Sequence, residues 1–273
     1  MKKVLLIALA LMLTLSLAAC GTKPASAAPS APAAPSAPAA PAIAGKDDLN
    51  GKKIGVQLGT TGDIYASDIP DATIERYNKG FEAVQALEQG KIDAVIIDDQ
   101  PAKVFAEQND KVMVLAEPFT TEDYALAISK DKPELTKALN EAMAALKADG
   151  TLQGIIDFYI GQAEGAKAYA SPAGITYPKG TLVMATNAEF PPYEYHEGDK
   201  IVGLDADFAK ALCDKMGYEL KIEDMAFDSI IVAVQSGKAD FAAAGLTITE
   251  DRLKSIDFTD SYYTGSQVII VKK

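Results

Sequence analysis

QALEQGKIDAVIID at residues 85–98 and QSGKADFAAAG at residues 235–245 share one pattern: a helix end, a Gly-Lys-x-Asp turn and a short apolar strand. The two copies predict two αβ units of the same design. The first strand ends at Asp98 and the second at Gly245. Because open α/β sheets bind ligands at the carboxyl ends of their strands, the repeat predicts two equivalent lobes whose strand ends face one cleft.

The same alternation of strand and helix extends along most of the chain. Short apolar runs of strand length are KIGVQL (53–58), DAVIID (93–98), VMVLAE (112–117), LVMAT (182–186) and DFAAAG (240–245). Amphipathic segments at 134–148 and 205–216 lie between them, and Asp205 and Gly217 are placed to begin and end the second one. This order predicts an α/β architecture with largely parallel sheets.

The first 45 residues have a different composition. Lys2 and Lys3 precede an apolar run that ends in Leu-Ala-Ala-Cys-Gly at residues 17–21. The run is too short for a spanning helix and is typical of a secretory signal peptide, here 1–19. The end of the run resembles the lipobox of bacterial lipoproteins, which implies that Cys20 is lipidated. Residues 20–45 are rich in Ala, Pro and Ser, and we expect an extended tether there.

Charge and composition exclude several kinds of function. The formal charge is −12, and removal of Lys2 and Lys3 with the signal peptide lowers it by two, to −14. Such a chain is a poor partner for nucleic acid. His196, the single histidine, stands in an acidic turn and is interpreted as a bystander, while Cys213 fits a helical core position. We predict no catalytic group, no metal site and no cofactor.

Six segments together resemble a known family. They are ATNAEFPPYEY (185–195), IVGLDADFAKAL (201–212), FDSIIVAVQSGKADFAAAGLTITEDR (227–252), IDFTDSYY (256–263), DLNGKKIGVQLGTTGD (48–63) and GKIDAVIIDD (90–99). The first four are similar to the first lobe of polar amino-acid-binding proteins of bacterial ABC importers, and the last two to the second lobe. The resemblance implies a two-lobed, type II periplasmic-binding-protein (Venus flytrap) fold. Because the lobes occur in reversed order, it also implies a circular permutation.

The resemblance sets domain boundaries. Lobe two is expected at 46–129, and lobe one at 130–161 together with 178–273. A permutation linker at 162–177 joins the two parts of lobe one and could span roughly 50 Å when extended. We expect a monomer that closes on itself, with a domain-swapped dimer as the alternative.

A free amino acid presents a carboxylate and an ammonium group, and burying both requires charged partners. In TITEDR (247–252), Thr249 is placed to cap a helix, which puts Arg252 in the first turn. Arginine is disfavoured there by the helix dipole, so its placement suggests an anionic partner. The resemblance implies that Arg252 grips the ligand carboxylate, helped by the N–H of Thr247 and by Thr60 and Thr61.

The resemblance assigns the other ligand groups as well. Asp98 binds the α-ammonium with the Gly245 carbonyl and the Thr247 hydroxyl, while Asp99 caps the next helix. The remaining contacts are to the ligand side chain, with aromatic walls from Phe190 and Phe227 and polar contacts from Asn187 and Gln57. The two amides favour a ligand with a neutral side chain such as that of glutamine. Because Glu189 is acidic, a basic amino acid is the alternative ligand.

These features predict a lipid-anchored receptor on the extracytoplasmic face of the membrane, which delivers a free polar L-amino acid to an ABC permease. Two alternatives remain. A sensor would report the amino acid to a signalling partner. A dehydratase-like enzyme would use the same fold, although no nucleophile and base pair is evident.

Overall fold

The structure is a computed structural model, and it describes residues 43–273. The signal peptide, Cys20 and most of the expected tether lie outside these residues. The helices are α1 (Thr61–Ser67), α2 (Gly80–Glu88), α3 (Asp99–Glu107), α4 (Pro133–Ala148), α5 (Thr151–Tyr159), α6 (Leu204–Met216), α7 (Ile230–Gln235) and α8 (Glu250–Leu253), with 3₁₀ turns at Lys46–Leu49 and Phe227–Ser229.

The strands form three sheets. They are β1 (Lys53–Gln57), β2 (Thr73–Tyr77), β3 (Ala94–Asp98), β4 (Val112–Val114), β5 (Thr120–Tyr124), β6 (Ala127–Ile128), β7 (Thr181–Thr186), β8 (Glu189–Phe190), β9 (Glu194–Glu197), β10 (Lys200–Val202), β11 (Glu219–Asp224), β12 (Phe241–Ala242), β13 (Asp257–Phe258) and β14 (Tyr263–Lys272). One sheet has the order β2-β1-β3-β14-β4 with β5 paired to β14, another has β11-β7-β12-β6-β13, and a small one has β10-β9-β8.

We call the part built on the six-stranded sheet the second lobe and the part built on the five-stranded sheet the first lobe. In each lobe the strands of the two αβ repeats are parallel to a neighbour, β3 to β1 and β12 to β7. The α/β prediction is confirmed, but both sheets are mixed rather than largely parallel, because β6 and β14 run antiparallel to their neighbours. The strand expected at 240–245 is shorter than predicted, since only β12 pairs and the backbone then turns at Gly245, whose φ is +52°.

Two strands lie in a different lobe from the one predicted. β14 was assigned to lobe one, but it lies between β3 and β4 and runs antiparallel to both. Its apolar run from Val268 to Val271 is buried, which a central strand of the second lobe allows. Conversely, β6 was assigned to lobe two but pairs with β12 and β13 in the first lobe. The chain therefore crosses between lobes twice, from β5 to β6 and from β13 to β14.

The expected linker, 162–177, contains no helix or strand, and it contacts α6. Tyr169 donates its backbone N–H to Asp207 Oδ2 over 2.8 Å and its hydroxyl to Asp214 Oδ2 over 3.2 Å. The hydroxyl of Tyr177 reaches Asp214 Oδ1 at 3.0 Å. Helices α4 and α5 pack against α6 as well. The segment that joins α5 to β7 is thus held on the first lobe by hydrogen bonds.

Helix α6 begins one residue before the prediction, at Leu204, and Gly217 ends it in the left-handed region with φ +83°. Asp205 does not cap this helix. Its side chain is fully buried and accepts the N–H of Gly245 at 2.8 Å and the hydroxyl of Tyr262 at 2.7 Å. Cys213 is buried in the main core, as its position in the helix predicted.

Candidate binding site between the lobes

A small cavity lies between the two lobes. It is lined by Gln57, Thr60, Thr61, Asp98, Phe190, Phe227, Ala244, Gly245, Thr247 and Arg252. Nine of the ten predicted site residues are in this set, and they come from the ends of β1 and β3, the start of α1, β8, the 3₁₀ turn at Phe227–Ser229, the segment after β12, and α8. The structure thus brings together residues that are up to about 200 positions apart in the sequence.

Arg252 supplies the positive charge of the cavity. The Thr249 hydroxyl accepts the backbone N–H of Arg252 at 3.2 Å, so the predicted cap is present. The guanidinium donates to the carbonyl of Thr247 at 2.9 Å and to that of Gly59, in the other lobe, at 3.2 Å. It also lies 5.7 Å from the centre of the Phe227 ring.

The Arg252 side chain is 6% exposed and forms no ion pair with any carboxylate of the described residues. Burial lowers the pKa of Arg252. A buried charge that lacks a close counter-ion is costly, so this position favours an anionic ligand.

Asp98 places a carboxyl group on the wall of the same cavity. It is 4% exposed and accepts a hydrogen bond from the hydroxyl of Tyr124. Burial, followed by the nearby charge of Glu122, raises the pKa of Asp98 to about 7. Its side chain does not cap α3, although the residue stands at the cap position.

The capping role predicted for Asp99 is wrong. This residue is the first of the helix, and its Oδ2 atom lies 2.9 Å from the Lys103 ammonium. The side chain of Asp98 therefore remains available to the cavity.

The Gly/Thr loop places Thr60 and Thr61 at the cavity, but their hydroxyls already have partners. The Thr60 hydroxyl donates to the carbonyl of Gln57 at 2.8 Å and accepts the N–H of Asp63 at 3.3 Å. The Thr61 hydroxyl donates to Glu122 Oε2 at 3.0 Å. Thr61 therefore cannot also donate its single hydroxyl hydrogen to a ligand carboxylate in this arrangement.

The polar residues that were predicted to contact the ligand side chain differ most from their expected positions. Asn187 is buried but does not line the cavity, because its Oδ1 atom accepts from Gln57 Nε2 at 2.8 Å and its amide nitrogen donates to the carbonyl of Met225 at 2.9 Å. This Gln57–Asn187 pair joins the two lobes. Glu189 is likewise engaged by Lys79 of the other lobe at 2.6 Å and does not line the cavity.

The aromatic residues are placed as predicted. Phe190 and Phe227 both line the cavity, and Phe190 stacks on Tyr193 with ring centres 6.0 Å apart.

Glu122 is a buried carboxylate, hydrogen-bonded to two cavity-lining threonines, that the sequence did not indicate. It lies in β5, is 4% exposed, and its Oε2 atom accepts from Thr61, Thr247 and Gln267 at 2.9–3.0 Å. The signal in the sequence is an acidic pair, Glu122 and Asp123, inside a strand, where acidic residues are depleted. That pattern does not indicate which of the two carboxylates is buried.

The structure thus presents a two-lobed α/β domain in which a buried arginine and a buried aspartate line one cavity. Residues 182–273 match the model of the bacterial extracellular solute-binding proteins, family 3. This part of the chain is similar to that family, and the match does not extend to the rest of the chain. It contributes Phe190, Gly245 and Arg252 to the cavity.

Several known proteins are similar over part of the chain. The arginine-binding extracellular protein ArtP of Bacillus subtilis (strain 168) is 45% identical over 104 residues, which are 38% of this chain and 41% of that protein. The ABC transporter arginine-binding protein 1 of Escherichia coli (strain K12) is 42% identical over 91 residues, or 33% of this chain and 37% of that protein.

A solved structure of an ancestral arginine-binding protein bound to arginine is 48% identical over 31% of this chain and 38% of that chain, with a TM-score of 0.31. The chain spans about two fifths of the length of the curated relatives that it matches. Within residues 43–273, no helix combines the length and the apolar character needed to cross a membrane.

Proposed function

We propose that the chain is a receptor that captures one free polar L-amino acid between its lobes and delivers it to an ABC permease. The observation that carries this proposal is the pair of buried opposite charges, Arg252 and Asp98, on the wall of one small cavity. Two opposite charges on the wall of one cavity suit a zwitterion, with the ligand carboxylate at Arg252 and the α-ammonium at Asp98. The names of the relatives, which include arginine-, histidine- and cystine-binding proteins, support an amino acid.

A basic amino acid fits the site better than glutamine. The amides of Gln57 and Asn187, which favoured glutamine in the sequence, hydrogen-bond to each other across the lobes. The buried groups at or beside the cavity comprise one guanidinium and two carboxylates, those of Asp98 and Glu122. A ligand with an additional positive charge would leave the smallest net charge buried. Two of the most similar relatives are named for arginine binding.

The domain also fits a circularly permuted order of the two lobes. The family 3 segment stands at 182–273, after the block at 46–129 that resembles the second lobe. The linker at 162–177 joins α5 to β7, and its hydrogen bonds keep it on α6 of the same lobe. In this proposal, ligand-driven closure of the lobes by a hinge motion at the two crossings produces the form that docks on the permease.

We further propose attachment to the extracytoplasmic face of the membrane through a lipid on Cys20, based on the lipobox resemblance at residues 17–21. Metabolic labelling with a fatty acid should mark the wild type and leave Cys20→Ser unlabelled. Equal labelling of both would place the anchor elsewhere.

A thermal-shift screen against the twenty amino acids tests the receptor function. A ligand at a hundred times its dissociation constant stabilises the folded state by about 2.7 kcal/mol, so arginine, lysine or histidine should raise the melting temperature measurably. Arg252→Ala should abolish the shift, while Lys254→Ala, an exposed cation two residues away, should preserve it. A wild type that no amino acid stabilises would contradict the proposal.

A further inference from the structure

The hydrogen bonds around Glu122 connect three separate parts of the molecule. Its Oε2 atom lies 3.0 Å from the hydroxyl of Thr61 at the start of α1 and 3.0 Å from the hydroxyl of Thr247 beyond β12. The third partner is the amide nitrogen of Gln267 in β14, at 2.9 Å. Glu122 is 4% exposed and Gln267 is fully buried, so this network is screened from solvent.

The chemistry of these groups fixes the direction of each hydrogen bond. The Oε2 atom of Glu122 accepts all three hydrogen bonds, so all three partners donate to it. The Gln267 nitrogen has two hydrogens, and the second is directed to the Thr61 hydroxyl at 3.3 Å. A threonine hydroxyl has a single hydrogen. The hydrogens of Thr61 and Thr247 are therefore both committed to Glu122, and neither hydroxyl has one left for the cavity.

We infer that Glu122 is a positioning residue that makes the cavity-facing hydroxyl of Thr247 a hydrogen-bond acceptor. With Asp98, this hydroxyl then forms a side that accepts hydrogen bonds and suits the ligand α-ammonium, while Arg252 on the other side receives the carboxylate. Glu122 in this way sets the orientation of the ligand without touching it. The inference rests on the proposed function, and it leaves the Thr61 hydroxyl no hydrogen to donate to the ligand carboxylate.

The test compares ligands that differ only at the α-ammonium. L-arginine is paired with 5-guanidinopentanoate, and L-glutamine with 4-carbamoylbutanoate, in which hydrogen replaces the α-amino group. Affinities are measured by calorimetry, or by ligand-observed NMR at millimolar concentration for the weaker analogues. The measured quantity is the preference for the amino acid over its analogue. A general loss of packing lowers both affinities and leaves this ratio unchanged.

Glu122→Gln replaces the acceptor with an amide that can donate, so the hydroxyl hydrogens are free to reorient. The preference for the amino acid should fall on the order of tenfold, because a charge-assisted hydrogen bond to the ammonium is lost. Glu117→Gln makes the same chemical change on an exposed residue near β5 and should leave the preference unchanged. Circular dichroism establishes that each variant is folded.

Thr247→Val provides an independent measurement if Glu122→Gln does not fold. Loss of an acceptor should weaken binding of the amino acid and spare the desamino analogue. If Thr247→Val weakens both ligands equally, its hydroxyl donates to the carboxylate and the inference is overturned. An unchanged ratio in folded Glu122→Gln would overturn it as well. A wild type that binds neither amino acid would instead contradict the proposed function.

Discussion

At the scale of single residues, the cavity combines an arginine and an aspartate whose pKa values are both shifted by burial. Arg252, Asp98 and Glu122 are each less than a tenth exposed, and the charge of Glu122 acts on both Asp98 and Arg252. The proximity of two carboxylates favours protonation of one of them, and the raised pKa of Asp98 reflects this as well as burial. A ligand ammonium would compete with that proton.

Ligand affinity should therefore depend on pH. Asp98 must be ionised to pair with an ammonium, and its pKa is about 7. The association constant should rise as the pH increases from 5.5 towards 7 and then level off, with at most a tenfold change per pH unit. Asp98→Asn should bind more weakly and lose this dependence. Calorimetry between pH 5.5 and 8 measures both, and a flat wild-type profile would argue against the ammonium role of Asp98.

The sequence identified the residues that line the cavity far better than it identified their contacts. Arg252 and Asp98 could be predicted because a helix start and a strand end determine where these side chains lie. The pairing of Gln57 with Asn187 could not, because it joins residues 130 positions apart in different lobes. Glu122 was missed for the same reason, since its contacts are with β14, the segment after β12 and the start of α1.

At the scale of secondary-structure elements, α6 and β9 enclose two carboxyl groups in the core. Asp205 and Glu194 are both fully buried, and Asp205 holds the backbone N–H of Gly245. Burial raises the pKa of Asp205 to about 6, and burial together with Asp205 raises the pKa of Glu194 well above its usual range. The apolar pattern predicted the bounds of α6 to within one residue. It also predicted that Asp205 caps the helix, because an aspartate at the cap and a buried aspartate in the first turn give the same sequence pattern.

This pair should make the protein less stable as the pH rises. Both carboxyls have folded-state pKa values above their unfolded values, so the native state binds more protons and stability falls as the pH increases from about 4 through 6 and beyond. Glu194→Gln cannot ionise, so its stability relative to the wild type should increase over this range, by at most about 1.4 kcal/mol per pH unit. Urea denaturation at pH 5 and pH 8 measures the effect. A constant difference between the two proteins would show that Glu194 has no raised pKa.

At the scale of the whole molecule, the lobes are connected at two crossings, and the linker lies on one lobe. The sequence predicted the α/β class and the cleft, since strand and helix periodicities survive a change in chain order. It misplaced β6 and β14, because a strand that crosses between lobes has the same apolar pattern as one that does not. The lobe in which such a strand lies is determined by the strands with which it pairs.

The proposed permuted chain should be a monomer. Tyr169 and Tyr177 bind α6 of their own chain, so the linker can close the first lobe without a neighbour. Light scattering on the purified protein should give the mass of one chain with and without ligand. An obligate dimer would favour exchange of halves between two copies.

The central claim is that one amino acid is held by the charges of Arg252 and Asp98, and titration calorimetry with L-arginine tests it most directly. The wild type should bind one arginine per chain. Arg252→Ala should lose about 3 to 5 kcal/mol of binding free energy, because the ligand carboxylate would be buried without its partner. Unchanged affinity in a folded Arg252→Ala variant would contradict the claim.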